Sequence, residues 1–270
     1  MALSQDQMNR IEEIVKGILS RRIENFPEDS SNVRNAPFHK IILKAFEDRI
    51  GILNIEIPYL IALSSWLHGL NTSLGTGFER LANVISGGYK RKFTSAFTLK
   101  VKESQASSVE HIIRELKAGP KVRIPNLKEE NELIFDIKQD EREVDALGFT
   151  VDNYVETNTS IEAIELKSVR PNSGEGRGEK QKILYGKAAL KLQNPSKDIK
   201  YYIGFPFDPT SDVATSYDKQ RFFDYLVEFK KFFAPEEVLI GGELWDHLSG
   251  SENTMEEILD MIAKVVTKIK

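Results

Sequence analysis

The 270-residue chain contains no cysteine. That excludes disulfides, a thiol nucleophile and cysteine-ligated zinc. Its 4 histidines, His39, His68, His111 and His247, are scattered. No two of them have the i, i+4 spacing with which a helix presents a pair of imidazoles to zinc. No apolar run reaches the roughly 20 residues that a membrane-spanning helix needs. No signal peptide opens the chain, so no membrane association and a cytoplasmic location are expected. Positive charge is not in excess either. The formal net charge of −4 and the pI of about 5.8 argue against a sequence-blind nucleic-acid coat. They do not exclude a DNA enzyme, because binding follows the local distribution of charge. Internal repeats and low-complexity segments are missing too. With 40% hydrophobic and 29% charged residues, what remains is an ordinary globular chain able to bury a large core.

The chemistry is concentrated between Asp145 and Arg170. Residues 145–151 and 161–170 read as two neighbouring strands, with a polar turn region over 152–160 between them. Side chains alternate between the faces of a strand. Ile164 and Leu166 therefore share one face, and Glu165 and Lys167 share the other. Asp145 lies on the preceding strand, far enough upstream for the chain to turn and return alongside. Three charged groups are thereby expected to converge at one point of a sheet.

Such a group suits metal-assisted hydrolysis of a phosphodiester. Mg²⁺ is a hard cation, held by one or two carboxylates together with phosphate and water. Asp145 and Glu165 are the expected carboxylate ligands, and the Leu166 carbonyl is a further one. Lys167 would orient the attacking water and offset charge in the transition state. An arbitrary Glu-x-Lys is usually a surface ion pair worth roughly 0–1 kcal/mol. Here the upstream Asp, the strand context and the segment that follows favour a site.

That segment, 168–180, is rich in glycine and basic residues. Glycine lets backbone come close to a ligand. Arg170, Asn172, Ser173, Arg177, Lys180 and Lys182 are candidate DNA contacts, since Arg suits guanine and Asn suits adenine in the major groove. A flexible surface loop is the bland alternative. Gln181 and Tyr185, at i and i+4, share a helix face. Gln181 is counted among the DNA contacts, and Tyr185 is either directed with it or a helix-surface aromatic.

The rest of the chain sets the frame. Helical spacing of apolar residues predicts helices near 5–25, 38–49 and 58–70. A further helix over 76–87 would be capped by Thr76, with Glu79 completing a capping box. Glu79 is then either a capping residue or an accessory acid of the metal site. Residues 93–101 and Leu133–Lys138 read as strands, and 104–118 as a helix. After the strand pair come a helix over 179–192, a strand over 201–205, a helix over 218–233, a strand over 238–240 and a final helix near 253–269. The expected fold is α/β, a mixed central sheet flanked by helices. Residues 1–70 would form an N-terminal helical region and 71–270 the catalytic core.

Asp145 with Glu165-Leu-Lys167 resembles the PD-(D/E)XK nuclease motif, with Val144 in place of its proline. Within that superfamily the chain is similar to the TdeIII/MjaII group of type II restriction endonucleases. The stretches that carry this are 36–39, 71–79, 141–149 and 165–175. The resemblance implies a restriction-endonuclease-like core and Mg²⁺-dependent cleavage of double-stranded DNA at a short palindrome, GGNCC in that group. It also implies a homodimer, since a two-fold site calls for a two-fold protein. It assigns Asp145 and Glu165 as metal ligands, Lys167 as catalytic lysine and Glu79 as accessory acid. Two alternatives stay open: a RecB-like repair or processing exonuclease with the same triad, and a non-catalytic DNA- or protein-binding module whose Glu165–Lys167 pair is structural.

Overall fold

A computed structural model describes residues 2–27, 37–52, 54–167, 173–226 and 229–269. The chain opens with α1 (Gln5–Glu24), whose N-cap Ser4 and Gln7 bond each other's backbone in a capping box. Short helices α2 (Pro37–Lys44) and α3 (Glu47–Gly51) lead to α4 (Ile57–Ser86). Then follow β1 (Tyr89–Phe93), a short 3₁₀ turn, β2 (Lys100–Lys102), α5 (Glu103–Ala118) and α6 (Leu127–Phe135). Strands β3 (Glu143–Asp145), β4 (Phe149–Glu156) and β5 (Ser160–Leu166) precede α7 (Ser173–Gln193) and β6 (Asp198–Phe205). The chain ends with α8 (Lys219–Tyr225), β7 (Val238–Ile240), α9 (Gly242–Ser249) and α10 (Thr254–Ile269).

Five strands form one mixed sheet in the order β1-β4-β5-β6-β7. β1 and β5 run antiparallel to β4, while β6 is parallel to both β5 and β7. The β5-α7-β6 unit is the crossover that a parallel pair requires. β2 and β3 form a separate two-stranded sheet. Each face of the main sheet is covered. Ile161, Ala163, Phe149 and Val151 pack with Ile112, Leu116, Leu184 and Ala188 of α5 and α7. Ile164 packs on the opposite face with Ile11, Leu81, Trp245 and Ile258 of α1, α4, α9 and α10. The expected α/β class is the one observed.

Several local expectations are corrected. Residues 57–86 form one helix rather than two. Thr76 is inside it, its hydroxyl bonded to the Thr72 carbonyl, so it is no N-cap and Glu79 closes no capping box. A Cβ at Gly77 would stand 2.6 Å from Ile18 Cδ1, so the glycine permits α1 to pack closely. The residue-70 boundary expected between a helical region and a core falls inside α4, and α1 shares a core cluster with α4. Leu133–Phe135 ends α6 instead of starting a strand; Asn126 caps this helix, and Glu130 and Ile134, four apart, face the interior. β4 runs on to Glu156, so the hairpin turn narrows to 157–159. The expected 218–233 helix stops at Tyr225, and α9 is an element the sequence reading did not separate.

No helix among the described residues is long and apolar enough to cross a membrane.

Candidate active site

At the end of β5, strand alternation places Glu165 and Lys167 together, as expected. Their side chains meet, Lys167 Nζ lying 3.1 Å from Glu165 Oε1. The acid facing them comes from β4. The register Asn153↔Ile164 puts Asp152 opposite Glu165. Asp152 Oδ2 accepts a hydrogen bond of 3.0 Å from the amide of Leu166.

A break in strand alternation aims Asp152 there. Phe149 and Val151 share one core cluster, and regular alternation would add residue 153 to them. Tyr154 joins that cluster instead, and Asn153 turns to the other face, where it bonds Asn83 and Ser86 of α4. The register between β1 and β4 shifts between Tyr89 and Arg91, opposite this point. A bulge inserts one residue and re-aims the side chains beyond it. Asp152 thus shares the face of Glu165.

Asp145 is elsewhere. It closes β3 in the two-stranded sheet, where it is paired with Lys100, and its carboxylate makes an ion pair with the Lys100 amine. The expected pairing of Asp145 with Glu165 is corrected on that ground: the carboxylate beside Glu165 is that of Asp152.

Two further amines and two further acids complete the cluster. From α7, Lys182 lies 2.7 Å from Glu165 and 2.5 Å from Glu179. Lys167 lies 2.8 Å from the same Glu179. From β1, Lys90 bridges Asp152 at 2.9 Å and Glu79 at 2.6 Å. Glu79 therefore belongs to the cluster, through Lys90. Sequence reading missed Asp152 and Glu179; it took Lys90, with Arg91 and Lys92, for a basic loop that is either solvated or in reach of phosphate.

Electrostatics follow from burial. Burial, reinforced by the Asp152 charge, pushes the Glu165 carboxyl above the usual carboxylate range, against the opposing effect of Lys182 and Lys167. Burial also raises Glu179, but hydrogen bonds from Lys167 and Lys182 outweigh it and leave that carboxyl low. Burial disfavours the Lys167 ammonium; Glu165 and Glu179 outweigh it, so the amine stays charged well above neutrality.

The donor set fits a hard divalent cation. Glu165 Oε2 is buried and has no hydrogen-bond partner among the described residues, an acceptor beside a second carboxylate. Among the described residues no three His, Cys, Asp or Glu side chains gather as a closed metal cage. Mg²⁺ does not require one, because water and substrate phosphate fill its remaining positions.

A profile of type II restriction endonucleases of the HinfI kind matches residues 3–266. The chain belongs to the HinfI family of type II restriction endonucleases. It is 43% identical to the type II restriction enzyme MjaII of Methanocaldococcus jannaschii, over 98% of this chain and 72% of that protein. The resemblance stated from the sequence is thereby confirmed at the level of the family.

The residues expected to contact DNA are dispersed. Arg170 and Asn172 lie outside the described residues. Ser173 opens α7, so from this point the glycine-rich segment is helix and not loop. Arg177 is exposed on its first turns. Lys180 is corrected: its side chain is 0% exposed, held at 2.6 Å by both Glu130 and Glu237. It is a buried structural cation that cannot reach DNA. Gln181 and Tyr185 do share a face, and both bond Glu110 of α5 at 2.9 Å. Lys182 points into the acidic cluster. Leu166 lies beside Asp152 through its amide.

Proposed function

We propose that the chain is a Mg²⁺-dependent type II restriction endonuclease that hydrolyses both strands of double-stranded DNA at a short palindrome, and that Asp152, Glu165 and Lys167 are its catalytic residues. The observation that carries this reading is the opposition of Asp152 to Glu165-Leu-Lys167 at one end of the strand pair, in a member of a restriction endonuclease family.

Asp152 and Glu165 would hold the cation, with the Leu166 carbonyl as a third protein ligand. When bound, the metal supplies a Lewis acid for the phosphate oxygens and lowers the pKa of the attacking water. Beside Glu165, the Lys167 ammonium would hydrogen-bond the attacking water and offset the negative charge that develops on the phosphate. Glu179 keeps the Lys167 amine charged and directed. Lys182 shares Glu165 Oε1 with Lys167 and pairs with Glu179 Oε2, and would not itself meet the nucleophile. Glu79 acts through Lys90 rather than on the metal. Asp145 has no part in the chemistry.

Homodimerisation belongs to the same reading, because cutting both strands of a palindrome takes two symmetry-related sites. So does a cytoplasmic location. GGNCC is the first sequence to test.

Closed circular DNA carrying GGNCC, incubated with the protein and Mg²⁺, should give discrete fragments whose sequenced ends define one site. Circles left intact, with a linear form of the same DNA digested from its ends, would replace this reading by an exonuclease. Binding without any cleavage, under every divalent metal tried, would replace it by a non-catalytic module.

A further inference from the structure

The turn after α4 gives Lys90 an unusual reach. Gly87 ends the helix in the left-handed conformation, φ 71°. A Cβ at Gly88 would stand 2.6 Å from Asn153 Nδ2 and 3.0 Å from the Tyr154 carbonyl oxygen, so only glycine lets β1 close onto β4 here. The chain reverses within two residues. Lys90 consequently faces back to Glu79 of the helix just ended and sideways to Asp152 of the neighbouring strand.

The two partners of this contact differ in freedom. The Asp152 side chain is 9% exposed and is fixed by the Leu166 amide. The Lys90 side chain is 41% exposed and carries four rotatable bonds. The carboxylate is fixed; the ammonium can leave. Charge balance indicates what would make it leave. Glu79, Asp152, Glu165 and Glu179 face the ammoniums of Lys90, Lys167 and Lys182, four negative charges against three positive. A divalent cation added to all three amines would leave the cluster one charge positive. The same cation added as Lys90 leaves makes it neutral. Desolvated like charges are costly, so exchange is favoured over addition.

We propose that Lys90 is an internal counter-cation that competes with the divalent metal for Asp152, so that metal loads by displacing this ammonium toward solvent. The proposal rests on the assignment of Asp152 and Glu165 as the metal-holding pair. Lys90 is on this account a regulatory residue that sets how much divalent cation the free enzyme needs; it does not touch the reacting atoms.

Calorimetric titration of the DNA-free protein with Mn²⁺ tests it without any measurement of cleavage. Lys90→Met, which removes the competitor and keeps the apolar stem, should tighten Mn²⁺ binding at least tenfold over wild type. Lys90→Arg, which retains a cation, should remain within about threefold of wild type. Asp152→Asn should abolish the Mn²⁺ heat. If Asp152→Asn abolishes binding but Lys90→Met leaves it unchanged or weaker, the competitor role is wrong and the metal site stands. If Asp152→Asn leaves binding intact, the metal-site assignment fails, and this proposal fails with it. Circular dichroism is expected to show all three variants folded, because Lys90 is exposed and Asp152→Asn keeps an oxygen that can accept from the Leu166 amide.

Discussion

The Leu166 amide donates a 3.0 Å hydrogen bond to Asp152 Oδ2, tying the acid of β4 to the residue that separates Glu165 from Lys167. One backbone group thus sets the spacing between the two carboxylates. It also keeps Asp152 ordered independently of any ion. We accordingly propose Asp152, and not Asp145, as the first carboxylate of the site.

Asp152→Asn should therefore lower the rate of plasmid cleavage by roughly two orders of magnitude or more, the scale of losing a group that acts on transition-state charge. Asp145→Asn should stay within about threefold of wild type, because its carboxylate meets only a surface lysine. Initial rates of supercoiled plasmid linearisation decide between them. An inactive Asp145→Asn beside an active Asp152→Asn would reverse the assignment.

Glu179 anchors the amines of both Lys167 and Lys182. As a positioning residue its loss should act on kcat and spare KM. Glu179→Gln is expected to reduce kcat about tenfold with KM nearly unchanged. The same variant should leave DNA-free Mn²⁺ affinity close to wild type. A large loss of metal affinity would instead make Glu179 a ligand.

Lys180 and Arg177, three residues apart, should behave oppositely. Removing Lys180 strands Glu130 and Glu237 as buried like charges. Lys180→Ala should cost about 3–5 kcal/mol of stability in urea denaturation. Arg177 is exposed. Arg177→Ala should change stability by less than about 0.5 kcal/mol. If Arg177 meets a phosphate, the variant flattens the slope of log K against log salt by about 1. An unchanged slope would remove Arg177 from the DNA-binding surface. A Lys180→Ala protein of wild-type stability would contradict the buried ion cluster.

Lys187 gives a pH signature. Its amine is buried and has no hydrogen-bond partner among the described residues. Burial lowers its pKa to about 8, from an ordinary 10.5. Below pH 8 both folded and unfolded chains carry the charge, and the folded state bears its full desolvation cost. Between pH 8 and 10.5 the unfolded chain binds more protons, so this group's contribution to stability rises with pH. Lys187→Met should accordingly stabilise the protein at pH 7, by up to about 3 kcal/mol, and the gain should shrink as the pH approaches 10.5. The difference in urea midpoint between variant and wild type, followed from pH 7 to 10, is the measurement. A gain that grows with pH would have the wrong sign.

Much was legible because it is local. Alternation along β5 places Glu165 beside Lys167 whatever packs around them, and the apolar spacing of α5, β6 and β7 follows from the same periodicities. The apolar Leu133–Phe135 run reads as a strand, but in the structure it ends a helix that Asn126 caps. Long-range packing decided the remainder. Thr76 read as the N-cap of a new helix, yet α4 continues through it and packs against α1, with Ile18 seated over Gly77.

The sequence alone determined the pair that the proposed chemistry uses: Glu165 and Lys167 share one face of a strand, in a chain with neither thiols nor helically spaced imidazoles. The tertiary structure alone decided which acid completes it. Asp152 reaches Glu165 because a register shift against β1 inverts the pleat after Val151. Asp145 is drawn into a different sheet by pairing with β2. Lys180 goes to the interior because Glu130 of α6 and Glu237 before β7 meet it there. Side-chain alternation is a property of one strand, but the partner that breaks it, or the acid that buries a cation, arrives from elsewhere in the chain.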